Sequence, residues 1–143
     1  MSRFSPRLLA PGLAAGLLLI GCVSPPERVP DEYCHSDGIL LDAHFEGANL
    51  GNCVVAADGD FELELFPEDD PPINPSPWYA FRISGQAGDQ ASIRMTFPDA
   101  YARYWPKISR DGSNWQPLDE SRVSFNGDQE LMELNIQLEQ AQL

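Results

Sequence analysis

Three stretches of this chain alternate apolar and polar side chains residue by residue, and a period of two leaves little choice of fold. Phe61, Leu63 and Leu65 alternate with Asp60, Glu62 and Glu64; Ala91, Ile93, Met95 and Phe97 alternate with Ser92, Arg94 and Thr96; Met132, Leu134, Ile136 and Leu138 alternate with Glu133, Asn135 and Gln137. Successive side chains of a strand point to opposite faces, so each stretch reads as a strand with one face toward a core and the other, carrying the acids, toward water. Shorter candidates are Ile39 to Phe45, Val54 to Ala57, Trp78 to Ile83, Tyr104 to Ser109 and Arg122 to Phe125. Asp58-Gly59, Gly85-Gln86-Ala87-Gly88, Asp111-Gly112 and Asn126-Gly127 supply connecting residues that tolerate positive φ. Helical periodicity competes only in Glu130 to Leu143, where Leu131, Leu134 and Leu138 also fit a helix stripe, but the alternation there suits a strand better. About eight short strands with such turns imply an all-β fold, a single antiparallel β-sandwich of jelly-roll-like type over residues 39–143.

The first residues stand outside this pattern. Arg3 and Arg7 precede a short apolar run, Leu8 to Ile20, interrupted by Pro11, Gly12 and Gly16 and too short to span a bilayer comfortably. It ends in Leu19-Ile20-Gly21-Cys22, which resembles the lipobox of bacterial lipoproteins. That resemblance implies a signal peptide over 1–21, cleavage before Cys22, transfer of a diacylglyceryl group to the Cys22 sulfur, and palmitate among the lipid chains of the acylated cysteine. Val23 and Ser24 follow, with no Asp directly after Cys22, so the sorting rule for such proteins favours the outer membrane, facing the periplasm. Lipid would then hold the chain to the membrane. Val23 to Asp31 carries three prolines in nine residues, and residues 22–38 read as a lipidated cysteine followed by a proline-rich tether.

With Cys22 lipidated, Cys34 and Cys53 remain, an even number in an oxidising compartment. They invite one disulfide closing a loop of about twenty residues; two independent buried thiols are the alternative. Neither belongs to a C-x-x-C pair, so zinc held through these sulfurs is not expected. Charge narrows the partners. The chain carries 22 acidic against 9 basic residues, a formal net charge of -13, and removal of 1–21 takes away Arg3 and Arg7 to leave 22 acids against 7 bases, or -15. Such a surface repels phosphates, which argues against nucleic acid and against direct attraction to anionic headgroups. Residues 67–77 contain five prolines, which cannot donate to a ladder, so this segment is an exposed loop. Its Glu68-Asp69-Asp70 run lacks the alternation that converges oxygen ligands on calcium, and a solvated loop is expected.

Four segments carry a family likeness. Phe45-Glu46-Gly47-Ala48-Asn49-Leu50, Phe61-Glu62-Leu63-Glu64-Leu65, Trp78-Tyr79-Ala80-Phe81-Arg82-Ile83-Ser84-Gly85 and Ser109-Arg110-Asp111-Gly112-Ser113-Asn114-Trp115 resemble, in order, the signatures of the amino-terminal domain of zinc carboxypeptidases of the cytosolic-carboxypeptidase type. The likeness covers Leu41 to Leu138. It implies a small β-sandwich that precedes and packs against a metallocarboxypeptidase domain, or assists another envelope partner, and itself holds no metal. The family's catalytic domain takes zinc from His-x-x-Glu and a later His, with an Arg for the substrate carboxylate and a Glu as general base. This chain has only His35 and His44, and three residues on from them stand Gly38 and Gly47. No G-x-S-x-G surrounds Ser76 or Ser84. The expectation is therefore no catalytic residue, no metal and no cofactor here. If the chain were a fragment of a longer protein, the parent's activity would be removal of carboxy-terminal amino acids.

Aromatics supply the binding candidates. Trp78 and Phe81 lie in an apolar strand and read as core, whereas Tyr101, Tyr104 and Trp105, set between Pro98 and Pro106, and Trp115 are candidates for exposure and for docking a neighbouring domain. The alternative is a stand-alone carbohydrate-binding module for cell-envelope glycans, since sugar rings stack on indole and phenol planes.

Overall fold

The computed structural model describes residues 30–69, 73–74, 76–98 and 100–139. The signal peptide, Cys22, the tether up to residue 29 and Asp70 lie outside the described residues. Strands β1 (Tyr33–Ser36), β2 (Ile39–Asp42) and β5 (Arg82–Ser84) form a three-stranded antiparallel sheet in the order β1-β2-β5. Strands β3 (Asn52–Ala57), β4 (Asp60–Glu64), β6 (Gln90–Thr96), β9 (Val123–Phe125) and β10 (Leu131–Gln137) form a five-stranded sheet in the order β3-β4-β6-β10-β9. Strands β7 (Lys107–Ile108) and β8 (Gln116–Pro117) make a two-stranded ribbon, and Glu120–Arg122 forms a single 3-10 turn leading into β9.

The alternating stretches are the strands β4, β6 and β10, and their apolar faces build the core. Phe61 and Leu63, Ala91, Ile93 and Met95, and Met132, Leu134 and Ile136 face Ile39 and Leu41 of the opposite sheet, with Leu50, Leu65, Phe97 and Leu118 closing the ends. Each large side chain fully buried this way contributes about 1.5–3 kcal/mol of transfer free energy. This two-layer arrangement is the expected β-sandwich. It departs from an all-antiparallel one at a single pair, since β4 runs parallel to β6. Parallel neighbours need a crossover, and here the chain leaves β4, contributes β5 to the other sheet, and returns as β6. At the carboxyl-terminal end the strand reading prevails over the helix, with β10 paired along seven positions to β6.

Ten strands stand among the described residues against about eight expected, the unexpected ones being β1 and β8. The tether, expected to reach residue 38, gives way to β1 at Tyr33. Asp37 and Gly38 both take positive φ, 46° and 79°, which is the backbone of a two-residue hairpin turn with the right twist for its strands. Trp78 to Ile83 is strand only from Arg82; before it, Ala80 makes one isolated bridge to Asn49, whose side-chain amide donates to the Trp78 carbonyl at 2.8 Å. Prolines also shorten β7 and β8, because Pro106 and Pro117 have no N–H to give.

The two sheets are tied where β1 meets β3. Cys34 and Cys53 form a disulfide, with Cα atoms 6.2 Å apart. The buried Ser36 hydroxyl donates to the Ala57 carbonyl (3.3 Å) and accepts from the Gly59 amide (3.2 Å). Just before β1, the Asp31 amide donates to Gly51 O (2.8 Å) while its carboxylate accepts from Cys53 N (2.7 Å).

Candidate docking surface

After β6 the chain crosses the end of the sandwich toward the ribbon. Phe97 N donates to Glu130 O (3.0 Å) and Ala102 N to Gln129 O (2.8 Å), so this crossing is pinned to the β9–β10 loop, with Phe97 and Ala102 turned inward. Tyr101, Arg103, Tyr104 and Trp105, around and beyond the Ala102 anchor, are exposed. Tyr101 is 51% exposed, Tyr104 70% and Trp105 40%. Trp105 has a divided role, because its Nε1–H donates to the Leu118 carbonyl (2.7 Å) and its ring tilts against Phe125 with centroids 5.7 Å apart. The Arg103 guanidinium lies 6.0 Å from the Tyr104 ring centroid and hydrogen-bonds the Ser76 hydroxyl.

Trp115, 58% exposed, stands apart on the ribbon. The turn before it is organised by one carboxylate. Asp111 accepts from Asn114 N (2.7 Å), Asn114 Nδ2 (2.6 Å), Ser113 N (2.9 Å) and the Ser109 hydroxyl (3.0 Å), and Gly112 takes a φ of 70°. These donors, the Asn114 amide first, hold the Asp111 carboxyl well below the usual carboxylate range. The Asp-Gly-x-x-Trp segment is thus a rigid presenter of the indole.

Of the expected contact residues, then, the fold places Tyr101, Tyr104 and Trp105 on one crossing and Trp115 on a separate ribbon. Among the described residues none of these four rings stacks on another. Trp78, Tyr79 and Phe81 are part-buried. Tyr79 donates toward Met132 Sδ at 4.0 Å, and burial pushes its phenol up to about 12. It belongs to the packing.

A second cluster occupies the outer face of the three-stranded sheet. Register sets Tyr33, Asp42 and Arg82 side by side across β1, β2 and β5. Asp42 accepts from His44 N (3.0 Å), His44 Nδ1 (2.7 Å) and Arg82 (3.3 Å), while His44 Nε2 reaches Glu32 at 3.0 Å. The His44 ring stacks on Tyr33, with centroids 6.1 Å apart, and Arg82 lies over Phe45 at 4.9 Å. The hydrogen bond to Asp42, reinforced by the Glu32 charge, raises the His44 pKa; reciprocally, the His44 amide and ring lower that of Asp42. An Asp-His pair needs an adjacent nucleophile to do acyl-transfer chemistry, and among the described residues none contacts His44. His44, half-exposed on the surface, acts as a clasp. Its partners are Asp42 on β2, Tyr33 on β1 and Glu32 just before β1, and only the Asp42-x-His44 spacing at a strand exit could have hinted at it.

The outer face of the five-stranded sheet is polar, as the alternation required. Arg94 on β6 bonds Glu62 of β4 (3.1 Å) and Glu133 of β10 (3.0 Å), its direct neighbours in the ladder. Among the described residues no three His, Cys, Asp or Glu side chains are grouped to hold a metal ion.

The fold is thus a β-sandwich with covered inner faces and with aromatic side chains exposed on a crossing pinned by main-chain hydrogen bonds. The family model of the cytosolic carboxypeptidase N-terminal domain matches residues 41–143, and the chain belongs to that family. The match starts at Leu41, where the sequence likeness starts, and the matched family is the N-terminal domain alone. No curated protein matches the chain. No solved structure matches it either.

Proposed function

We propose that this chain is a non-catalytic, lipid-anchored envelope module that docks a protein partner, a peptidase domain or another envelope protein, through Tyr101, Tyr104 and Trp105 on the crossing and Trp115 on the ribbon. The observation that carries the reading is the presentation of Tyr101 and Tyr104, large and exposed, on a backbone pinned by main-chain hydrogen bonds to the β9–β10 loop. Rigid aromatic anchors are what protein interfaces concentrate at their energetic centres, because they bury much area at small cost in side-chain freedom. Neighbouring Arg103 adds a guanidinium of the kind enriched at such surfaces. Membership in a family of N-terminal domains supports the same reading. Glycan binding gains less support, since a sugar platform wants aromatic planes gathered on one face and these four rings are not stacked together.

The test is a photo-crosslinker, p-benzoyl-phenylalanine, at position 101, 104 or 115 in cells, with position 62 on the polar face as control. The expected result is one recurrent protein adduct from the aromatic positions and none from position 62. Adducts equally frequent from both, or none from the aromatic positions while glycan fragments quench the tryptophan fluorescence, would refute docking. Anchoring is tested separately: labelled palmitate should enter the wild-type protein and not Cys22→Ser, and equal labelling would remove the lipid from the proposal.

A further inference from the structure

The outer face of the five-stranded sheet divides into two halves. In one, Glu62, Arg94 and Glu133 neutralise each other across β4, β6 and β10. In the other, register lines up Asp60, Ser92 and Asn135 across the same strands, with Gln90 and Gln137 paired in the adjacent row. These five side chains hydrogen-bond nothing among the described residues. They floor an open trough of about 450 Å³. Asp58, in the β3–β4 turn, stands beside Asp60 at one end, and Arg122, in the 3-10 turn just before β9, closes the other. The Arg122 guanidinium is only loosely engaged there, reaching Glu139 at 4.0 Å while Glu139 is bonded to Arg110.

The trough is therefore a charge dipole with a hydrogen-bonding floor: two carboxylates at one end, hydroxyl and carboxamides between, a guanidinium at the other. From β4 to β9 is three strand spacings of about 4.8 Å, or about 14 Å. We propose that this face binds a short zwitterionic peptide laid across the strands, with its free amine at Asp58 and Asp60 and its free carboxylate at Arg122. An extended chain covers at most about 3.5 Å per residue, so the span fits a tripeptide or tetrapeptide, the long Arg122 side chain taking up the slack. Ser92, Asn135, Gln90 and Gln137 each offer a donor and an acceptor to peptide amides. Guanidinium pairs bidentately with a carboxylate, which gives the carboxyl end its specificity. A sugar is the poorer fit, because no aromatic plane lines the trough. The proposal is independent of the docking surface, which uses none of these residues.

The test uses tetra-alanine with free termini, titrated into isotope-labelled protein to about 10 mM and followed by amide chemical shifts. Expected are saturable shifts confined to Asp60, Ser92, Asn135 and their row neighbours, and a loss of affinity of at least about tenfold on N-acetylation or on C-amidation. Arg122→Gln should weaken the free peptide while abolishing the effect of C-amidation, and Asp58→Asn with Asp60→Asn should abolish the effect of N-acetylation. All three positions lie on the surface, and unchanged circular dichroism establishes that the variants are folded. Absence of saturable shifts, equal binding of free and capped peptides, or equal perturbation of the same amides by an uncharged chitooligosaccharide each overturns it.

Discussion

Opening the Cys34–Cys53 bridge removes the covalent link between the two sheets. The cysteines are 19 residues apart, and the loop-closure relation for a loop of that size assigns about 3 kcal/mol to the bridge. The described domain runs over residues 30–139, and at about 2.1 cal/mol/K per residue its unfolding entropy near the midpoint is about 0.23 kcal/mol/K. Dividing one by the other predicts a fall in Tm of about 13 °C. The double variant Cys34→Ala with Cys53→Ala is preferred to serine, because Cys34 is buried and a hydroxyl there would add an unpaired polar group. It should lose the same stability as dithiothreitol-treated wild type, and a free-thiol count on the unfolded, unreduced protein should find neither cysteine titratable. The fold itself should persist, since the Ser36 and Asp31 hydrogen bonds still join β1 to β3 and its turn. Thermal melting followed by circular dichroism reads both effects. A reduced protein that melts within about 3 °C of the oxidised one would show that the unfolded chain gains little freedom, and that the entropy argument fails here.

Two further outcomes follow from local geometry. Gly51 and Gly112 both hold positive φ, 68° and 70°, but a Cβ at Gly51 would lie 2.4 Å from Glu64 O and 2.8 Å from Leu65 Cδ2, whereas at Gly112 it would meet nothing. Gly112→Ala should therefore cost only the left-handed backbone penalty of about 1–2 kcal/mol, and Gly51→Ala at least about 1 kcal/mol more by urea denaturation; equal losses would refute the clash. His44, raised above the ordinary histidine value of 6.5, stabilises the fold when protonated. That contribution is complete below about pH 6.5 and disappears as the pH rises through the raised folded-state value, since a neutral ring keeps one N–H for two carboxylates. Wild type minus His44→Gln melting temperatures should thus shrink from mildly acidic to alkaline pH, and a difference that grows with pH would be contrary evidence.

Much of the fold was legible in the chain because its determinants are local. Alternation in β4, β6 and β10 names the buried set from Phe61 to Ile136, since the pleat sends every second side chain inward without reference to anything distant. Asp37-Gly38 carries a hairpin-turn signal of the same local kind, although β1 before it is only four residues long. The family likeness rests on the same local segments, with the match running from Leu41. Tertiary structure alone decided what depends on register and crossing. The parallel β4–β6 pair exists because β5 joins the opposite sheet in between. Cys34 meets Cys53 because β1 runs beside β3, and His44 finds Glu32 and Asp42 because the β1–β2 hairpin folds them to one face. The row Asp60, Ser92, Asn135 with Arg122 at its end likewise spans strands far apart in the chain, and a single sequence carries no term for which strand lies beside which.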